Sequence, residues 1–269
     1  MLEISNEEFI RLAKYAKDNL GIQLKEEKKV LVSGRLSGVL QALNLQSFSQ
    51  YLDYIAADRS GVAAKIFANK LTTNHTFFMR EAEHFDFFNS VVLPNLVPRL
   101  REKDLRIWSA GCSSGEEAYT LAMIIDEFLG KDKLNWDAKL LATDISEEVL
   151  SRAARGRYSN ETVAPLPRKW LLNYFERYDN EHYEVNRKMK SEVIFRRFNL
   201  MSAFPFRKKF HVIFCRNVMI YFDAKTKADL IQRFYDSLEP GGYLFIGHSE
   251  SINRESTQFR YIMPAVYQK

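Results

Sequence analysis

The sequence predicts an α/β protein in two parts: a small all-α segment over 1–80, then a domain over 81–269 built on a mostly parallel sheet. Three observations carry this expectation. Up to about residue 80, apolar residues recur at helical spacing with no strand alternation. From Asp104 onward, short β-rich runs alternate with helical ones, as a parallel sheet with crossover helices requires. With 46% hydrophobic residues in a chain of 269, a sizeable core is available and disorder is excluded.

Ser5 followed three residues later by Glu8 is a capping box. Phe9, Leu12, Ala13, Ala16 and Leu20 then repeat at helical spacing until Gly21 ends the run. A second helix places Val32, Leu36, Val39, Leu40 and Leu43 on one stripe and leaves Lys28, Lys29 and Arg35 for another face. Stretches 47–57 and 62–71 complete the helical part. In the second part, 105–109 reads as a strand, 116–129 as a helix, 139–143 as a strand and 146–154 as a helix capped by Ser146. A helical stretch at 168–175 and a polar hairpin at 178–190 precede strands at 193–198 and 211–214. The helix over 225–238 stops at Glu239-Pro240-Gly241-Gly242, and the strand 243–246 follows. Finally 259–262 and 265–268, parted by Pro264, form an antiparallel pair closing one edge of the sheet.

Composition bounds the function. No run approaches the 18 or so uncharged apolar residues of a membrane span, and residues 1–10 carry Glu3, Glu7 and Glu8 where a signal peptide has a basic start. The expectation is a soluble cytoplasmic protein with no membrane insertion. Cys112 and Cys215 stand alone, which excludes a disulfide framework and a structural zinc site; both are expected as buried small hydrophobes, and no metal is expected. The net charge of +5 is uneven: 81–150 carries −7 and 151–210 carries +8. Local fields of this kind suit an acidic protein surface as well as phosphate.

In an open parallel sheet the ligand binds beyond the carboxyl ends of the strands. The first such turn, 109–117, reads SAGCSSGEE. Its glycines permit close approach, but it is neither a GxGxxG nor a phosphate loop, and Glu116 and Glu117 would repel a pyrophosphate. Asp144 follows the second strand, where nucleoside-binding folds place an acid for both ribose hydroxyls. Asn199-Leu200 and Cys215-Arg216-Asn217 follow later strands at the same edge. A ribose-binding acid, a tight glycine turn without phosphate features and a terminal antiparallel pair point to a Rossmann-like S-adenosylmethionine methyltransferase.

Four runs are more specific: LTTNHTFFMRE at 71–81, WSAGCSSGEE at 108–117, FCRNVMIYF at 214–222 and GHSE at 247–250. In that order they resemble the bacterial chemotaxis receptor methyltransferases, the CheR family, over almost the whole chain. One departure is Phe78-Met79, where the family usually has two aromatics before the arginine. The resemblance implies an all-α amino-terminal receptor-docking domain (1–80) and an S-adenosylmethionine-dependent methyltransferase domain (81–269) carrying a β-subdomain at about 176–195. It also implies methylation of glutamate side chains on the cytoplasmic helices of chemoreceptors, yielding glutamyl methyl esters and S-adenosylhomocysteine. Carried over by motif, cofactor contacts fall on Asn74, Thr76, Arg80, Glu117, Asp144, Asn199, Leu200, Arg216 and Asn217, and the methyl-transfer centre on Arg80 and Tyr221. The motif leaves open whether Glu116 or Glu117 is the direct ligand. Some members also grip an aromatic and acidic pentapeptide through a glycine-rich loop of the β-subdomain. Here 174–185 contains no glycine, so a tether-independent enzyme is expected.

A glutamate is already ionised at neutral pH, so its methylation needs placement rather than a strong base. His75 and His248 are therefore expected in structural roles. Arg80 suits orientation of a carboxylate, unless it is spent on Glu81 or Glu83, and the Tyr221 hydroxyl suits donation to the acceptor. Lys28, Lys29 and Arg35 are the expected docking face for receptor glutamates. A nucleic-acid methyltransferase is disfavoured because the turn after the fourth strand, Cys215-Arg216-Asn217-Val218, lacks the prolines such enzymes use. No nucleic-acid partner is expected, and with no exposed heptad pattern the chain is expected to be a monomer.

Overall fold

The computed structural model describes all residues except 1, 2, 254 and 256. Helix α1 (Asn6–Leu20) opens with the expected capping box: the Ser5 hydroxyl accepts from Glu8 N–H at 3.1 Å, and the Glu8 carboxylate accepts from Ser5 N–H at 3.0 Å. Gly21 closes it in the left-handed region, φ 72°. Helices α2 (Lys29–Ala42), α3 (Phe48–Ala57, capped by Ser47) and α4 (Val62–Leu71) follow and bury Val32, Leu36, Phe48, Tyr51 and Phe67.

A helical path the sequence pattern did not signal comes next: α5 (Ala82–Phe87), a π-turn at Phe88–Val92 and α6 (Leu93–Leu96). Pro94 and Pro98 interrupt its period, and the π-turn shifts the register by which Phe85, Phe88, Val92 and Leu93 stay buried. The α/β part then runs β1 (Ile107–Ala110), α7 (Glu116–Leu129), β2 (Leu140–Asp144), α8 (Glu147–Arg155), β3 (Arg157–Ser159), α9 (Asn160–Val163), α10 (Arg168–Tyr174), β4 (Phe175–Arg177), β5 (His182–Val185) and α11 (Arg187–Lys190). It ends with β6 (Val193–Arg197), β7 (Phe210–Cys215), α12 (Ala224–Ser237), β8 (Leu238–Ile246), β9 (Arg260–Met263) and β10 (Val266–Gln268).

The main sheet has the order β6-β2-β1-β7-β8-β10-β9. Its first five strands are parallel, and β10 and β9 add antiparallel at the edge. Strands β1 and β7 are buried at every residue because helices cover both faces, which is why they read as unbroken apolar runs. From β1 the chain proceeds to β2 and β6 on one side, then returns to β7 and β8 on the other. This reversal opens a crevice at the carboxyl ends of β1 and β7.

Two boundaries differ from expectation. The turn expected at Glu239-Pro240-Gly241-Gly242 lies within β8, whose ladder with β7 shifts register there; Gly241 takes φ 80° and the sheet absorbs the sequence as a bulge. The small sheet, β3-β5-β4, reaches back to Arg157 rather than starting at about 176, while Val193–Arg197 joins the main sheet against β2. Three-residue β3 is too short to display alternation in the sequence.

On one face of the main sheet, Trp108 packs among Phe198, Phe204, Phe206, Phe210 and Phe234, and the apolar cluster continues into the amino-terminal helices. On the other, Phe214 stacks on Phe245 at 4.3 Å beneath α5. Both cysteines are buried and unbonded. Among the described residues no helix is long and apolar enough to cross a membrane.

Candidate active site

A cleft of about 1090 Å³, its open mouth included, lies at the carboxyl ends of β1, β2 and β7. Asn74, Thr76, Arg80, Glu117, Asp144, Asn199, Leu200, Arg216, Asn217 and Tyr221 all line it, so the structure brings together the residues the motifs singled out. Lys28, Lys29 and Arg35, on the helical part, do not line it, although Arg35 bonds the lining segment from behind. Arg35 donates to the carbonyl of Leu71 at 2.9 Å and to the Thr73 hydroxyl at 3.1 Å, so its guanidinium secures the end of α4. Lys28 is exposed and Lys29 bonds Asn6.

The turn after β1 must come close to whatever fills the cleft. Gly111 has φ 93°, and a Cβ there would sit 2.4 Å from Val218 Cγ2. Asp144, only 8% exposed, accepts from Ser113 N–H and from Ser146 N–H, each at 2.9 Å and each on a different carboxylate oxygen. Burial pushes its carboxyl above the usual range, and these N–H donors hold it back.

The two glutamates at the start of α7 part company. Glu117 faces the cleft, accepting from the Ser109 hydroxyl at 2.7 Å and from Arg216 Nη1 at 3.0 Å. Glu116 turns inward to the Ser114 hydroxyl, and its burial raises its carboxyl. Arg216 is likewise inside the wall: it pairs with Glu117 and with Glu81 (Nη2 to Oε2, 3.2 Å), and also donates to the Arg80 carbonyl. Asn199 is occupied too, donating to Asn19 O at 2.8 Å and accepting from Met201 N–H.

Arg80 is different. It donates to the His75 carbonyl at 2.9 Å and lies 5.9 Å from the Phe77 ring centre, but among the described residues it has no carboxylate partner. The adjacent Glu81, which sequence reasoning offered as that partner, serves Arg216, Asn217 Nδ2 and His248 N–H instead. Burial would raise the Glu81 carboxyl, but Arg216 and these donors outweigh it and leave it lowered. The Tyr221 hydroxyl has no hydrogen-bond partner among the described residues. Its carbonyl accepts from Gln23 N–H at 2.8 Å, and Ile22 bridges to Phe222, so the loop after α1 forms part of the cleft wall.

Sequence reasoning offered Glu81 to Arg80 rather than to Arg216, and gave no site role to Glu250, Leu20 or Ile22. Glu81 and Glu250 stood inside the quoted runs, and their chemistry was the available signal; Ile22 meets Phe222 across 200 positions of chain, which no local pattern reports. Glu81, His84 and His248 also place three potential metal-ligand atoms within 4.8 Å of one another. Both oxygens of Glu81 are already committed, one of them to a guanidinium, so a cation would have to displace Arg216.

Comparison with known proteins decides the family. Residues 7–72 match the CheR methyltransferase all-alpha domain, and residues 74–267 match the CheR methyltransferase SAM binding domain. The chain belongs to the CheR methyltransferase family. It is similar to the chemotaxis protein methyltransferase of Borreliella burgdorferi, with 42% identity over 100% of this chain and 96% of the relative. A probable chemotaxis protein methyltransferase of Rhizobium etli is 39% identical over 88% of this chain and 89% of its own length. The corresponding protein of Escherichia coli K12 is 35% identical over 99% and 92%.

As a CheR-family chemotaxis methyltransferase, the protein uses S-adenosylmethionine. The donor set of the cleft fits that cofactor. Asp144, at the end of β2, would accept from a ribose diol, the glycine turn would admit close approach, and the net negative charge left where Glu117 and Glu81 share Arg216 would suit a sulfonium or an ammonium.

Proposed function

We propose that this enzyme transfers methyl groups to glutamate side chains on the cytoplasmic helices of chemoreceptors, acting in the cytoplasm and forming glutamyl methyl esters. Bound S-adenosylmethionine supplies an electrophilic methyl group and leaves as S-adenosylhomocysteine. The observation that carries the reading is the charge pairing in the cleft. Glu117 and Glu81 share one guanidinium, that of Arg216, while Arg80, on the same wall, has no carboxylate of its own among the described residues. A guanidinium without a carboxylate, lining the same cleft as a free tyrosine hydroxyl, suits an acceptor that is itself a carboxylate.

Arg80 and Tyr221 are the residues we assign to the acceptor. Arg80 orients its carboxylate by paired N–H donors, held in aim by the His75 carbonyl and the Phe77 ring. The Tyr221 hydroxyl donates to the same group. Because the acceptor is ionised before it arrives, no proton need be removed, and catalysis is placement with water excluded. The helical part, 1–80, is the docking domain in this reading, with Lys28 and Lys29 facing receptor glutamates and Arg35 maintaining the segment that leads into Asn74. Methyl transfer from tritiated S-adenosylmethionine to receptor cytoplasmic fragments, released by mild alkali and absent with RNA, is the expected result. Alkali-stable label, or label on RNA, would overturn the proposal.

A further inference from the structure

Glu250 follows β8 in the GHSE run, is 7% exposed and has no cationic partner among the described residues. Its carboxylate is instead held by backbone N–H groups. Oε2 accepts from Gly247 at 2.6 Å and from Asn217 at 2.9 Å, and Oε1 accepts from Ile220 at 3.1 Å. Burial raises its carboxyl above the ordinary range, with these donors opposing. A buried, unpaired acid costs stability unless its oxygens are fully served, so such a site points to a constraint beyond packing.

The constraint falls on the loop after β7. Asn217 is held in the left-handed region at φ 59°, and the chain then winds through a 3-10 turn, Met219–Tyr221. Gly247 lies so close that a Cβ there would meet Asn217 N at 2.8 Å. Glu250 therefore ties Asn217 and Ile220, which lie between Arg216 inside the wall and Tyr221 on the cleft, to the end of the neighbouring strand. The same Asn217 reaches through Nδ2 to Glu81, the residue next to Arg80. We infer that Glu250 is a positioning residue for methyl transfer, acting through the backbone of 217–220 to set where the Tyr221 hydroxyl meets the acceptor. The inference rests on the role given to Tyr221 above.

A glutamine at this position keeps the volume but presents an amide donor to at least one of the three N–H groups. A displacement of Tyr221 by about an ångström is enough to cost on the order of 100-fold in rate. Expected for Glu250→Gln is therefore a fall in kcat of about 30- to 100-fold, with KM for S-adenosylmethionine changed by less than about threefold. The decisive experiment is a double-mutant cycle with Tyr221→Phe, read as methyl transfer to receptor fragments. S-adenosylhomocysteine affinity and the melting temperature serve as controls for folding. If Glu250 acts through Tyr221, Glu250→Gln costs little more once the hydroxyl is gone. Glu250→Asp, which keeps the charge on a shorter stem, should lose less than the glutamine variant and serves if the latter does not fold. Equal losses from Glu250→Gln with and without the hydroxyl, or normal kcat in a folded Glu250→Gln, would overturn the inference while leaving Tyr221 in place. A fully active Tyr221→Phe would overturn both.

Discussion

Replacing Asp144 with asparagine separates what this residue does for the fold from what it does for the ligand. Each carboxylate oxygen already accepts one backbone N–H, from Ser113 and from Ser146, both at 2.9 Å. The side chain is 8% exposed and lines the cleft. Asparagine keeps one acceptor oxygen and turns an amide N–H₂ toward one of the two backbone donors, at a cost in folding free energy of about 1–3 kcal/mol. Independently, it removes the charge-assisted bonds to the ribose diol, worth about 2–4 kcal/mol, or roughly 30-fold or more in affinity. Unfolding of the ligand-free protein reads the first effect, and calorimetric titration with S-adenosylhomocysteine reads the second. Asp144→Ala should show the same affinity loss with the amide clash absent. A folded Asp144→Asn or Asp144→Ala protein that binds S-adenosylhomocysteine with unchanged affinity would refute the reasoning.

Charge reversal at Lys28 and Lys29 should raise KM for receptor fragments, weaken with salt and leave S-adenosylhomocysteine affinity intact, whereas reversal at Arg35 should lower the melting temperature because its bonds hold the end of α4; normal methylation by the lysine variants at low salt would move docking elsewhere. The loop joining β4 and β5 is tied by Asp179, which accepts from the N–H groups of Glu181 at 2.7 Å and His182 at 2.8 Å, so methylation should not depend on a receptor's carboxyl-terminal pentapeptide, and micromolar binding of that peptide by calorimetry would contradict this. His211 is held at about 4, first by burial and then by Arg106, whose backbone N–H donates to Nδ1 at 3.0 Å. Its folded pKa lies below its unfolded value near 6.5, so its contribution is complete above about pH 6.5 and is lost as pH falls toward 4, with about 2 kcal/mol gone by pH 5. Urea unfolding at pH 7 and pH 5 should show that loss and show it reduced in His211→Gln; equal losses in both proteins would contradict it.

Periodicity located the elements that bury a continuous stripe. Helix α4 lies at Val62–Leu71 and α7 at Glu116–Leu129, both where the spacing placed them, because in each the helix that carries the apolar repeat begins directly after a glycine, Gly61 and Gly115. It failed where tertiary contact overrides local pattern: in the π-turn of Phe88–Val92, in three-residue β3, and in the bulge of β8 that holds Pro240 and Gly241. At the site, residue types after strand ends marked the lining of the cleft, since topology fixes where those ends gather. Which groups are free within it was not legible. Arg80 and Arg216 look alike in sequence, and only the path of Glu81 to Arg216 shows which guanidinium is left for an acceptor.

The central claim, that the acceptor is a receptor glutamate carboxylate, is tested most directly by tandem mass spectrometry of receptor cytoplasmic fragments after incubation with the enzyme and S-adenosylmethionine. The account predicts a single methyl group localised to glutamate side chains, removed by mild alkali and absent when those glutamates are replaced by alanine. Methylation found on lysine, arginine or backbone nitrogen, or on no glutamate at all with active enzyme, would contradict it.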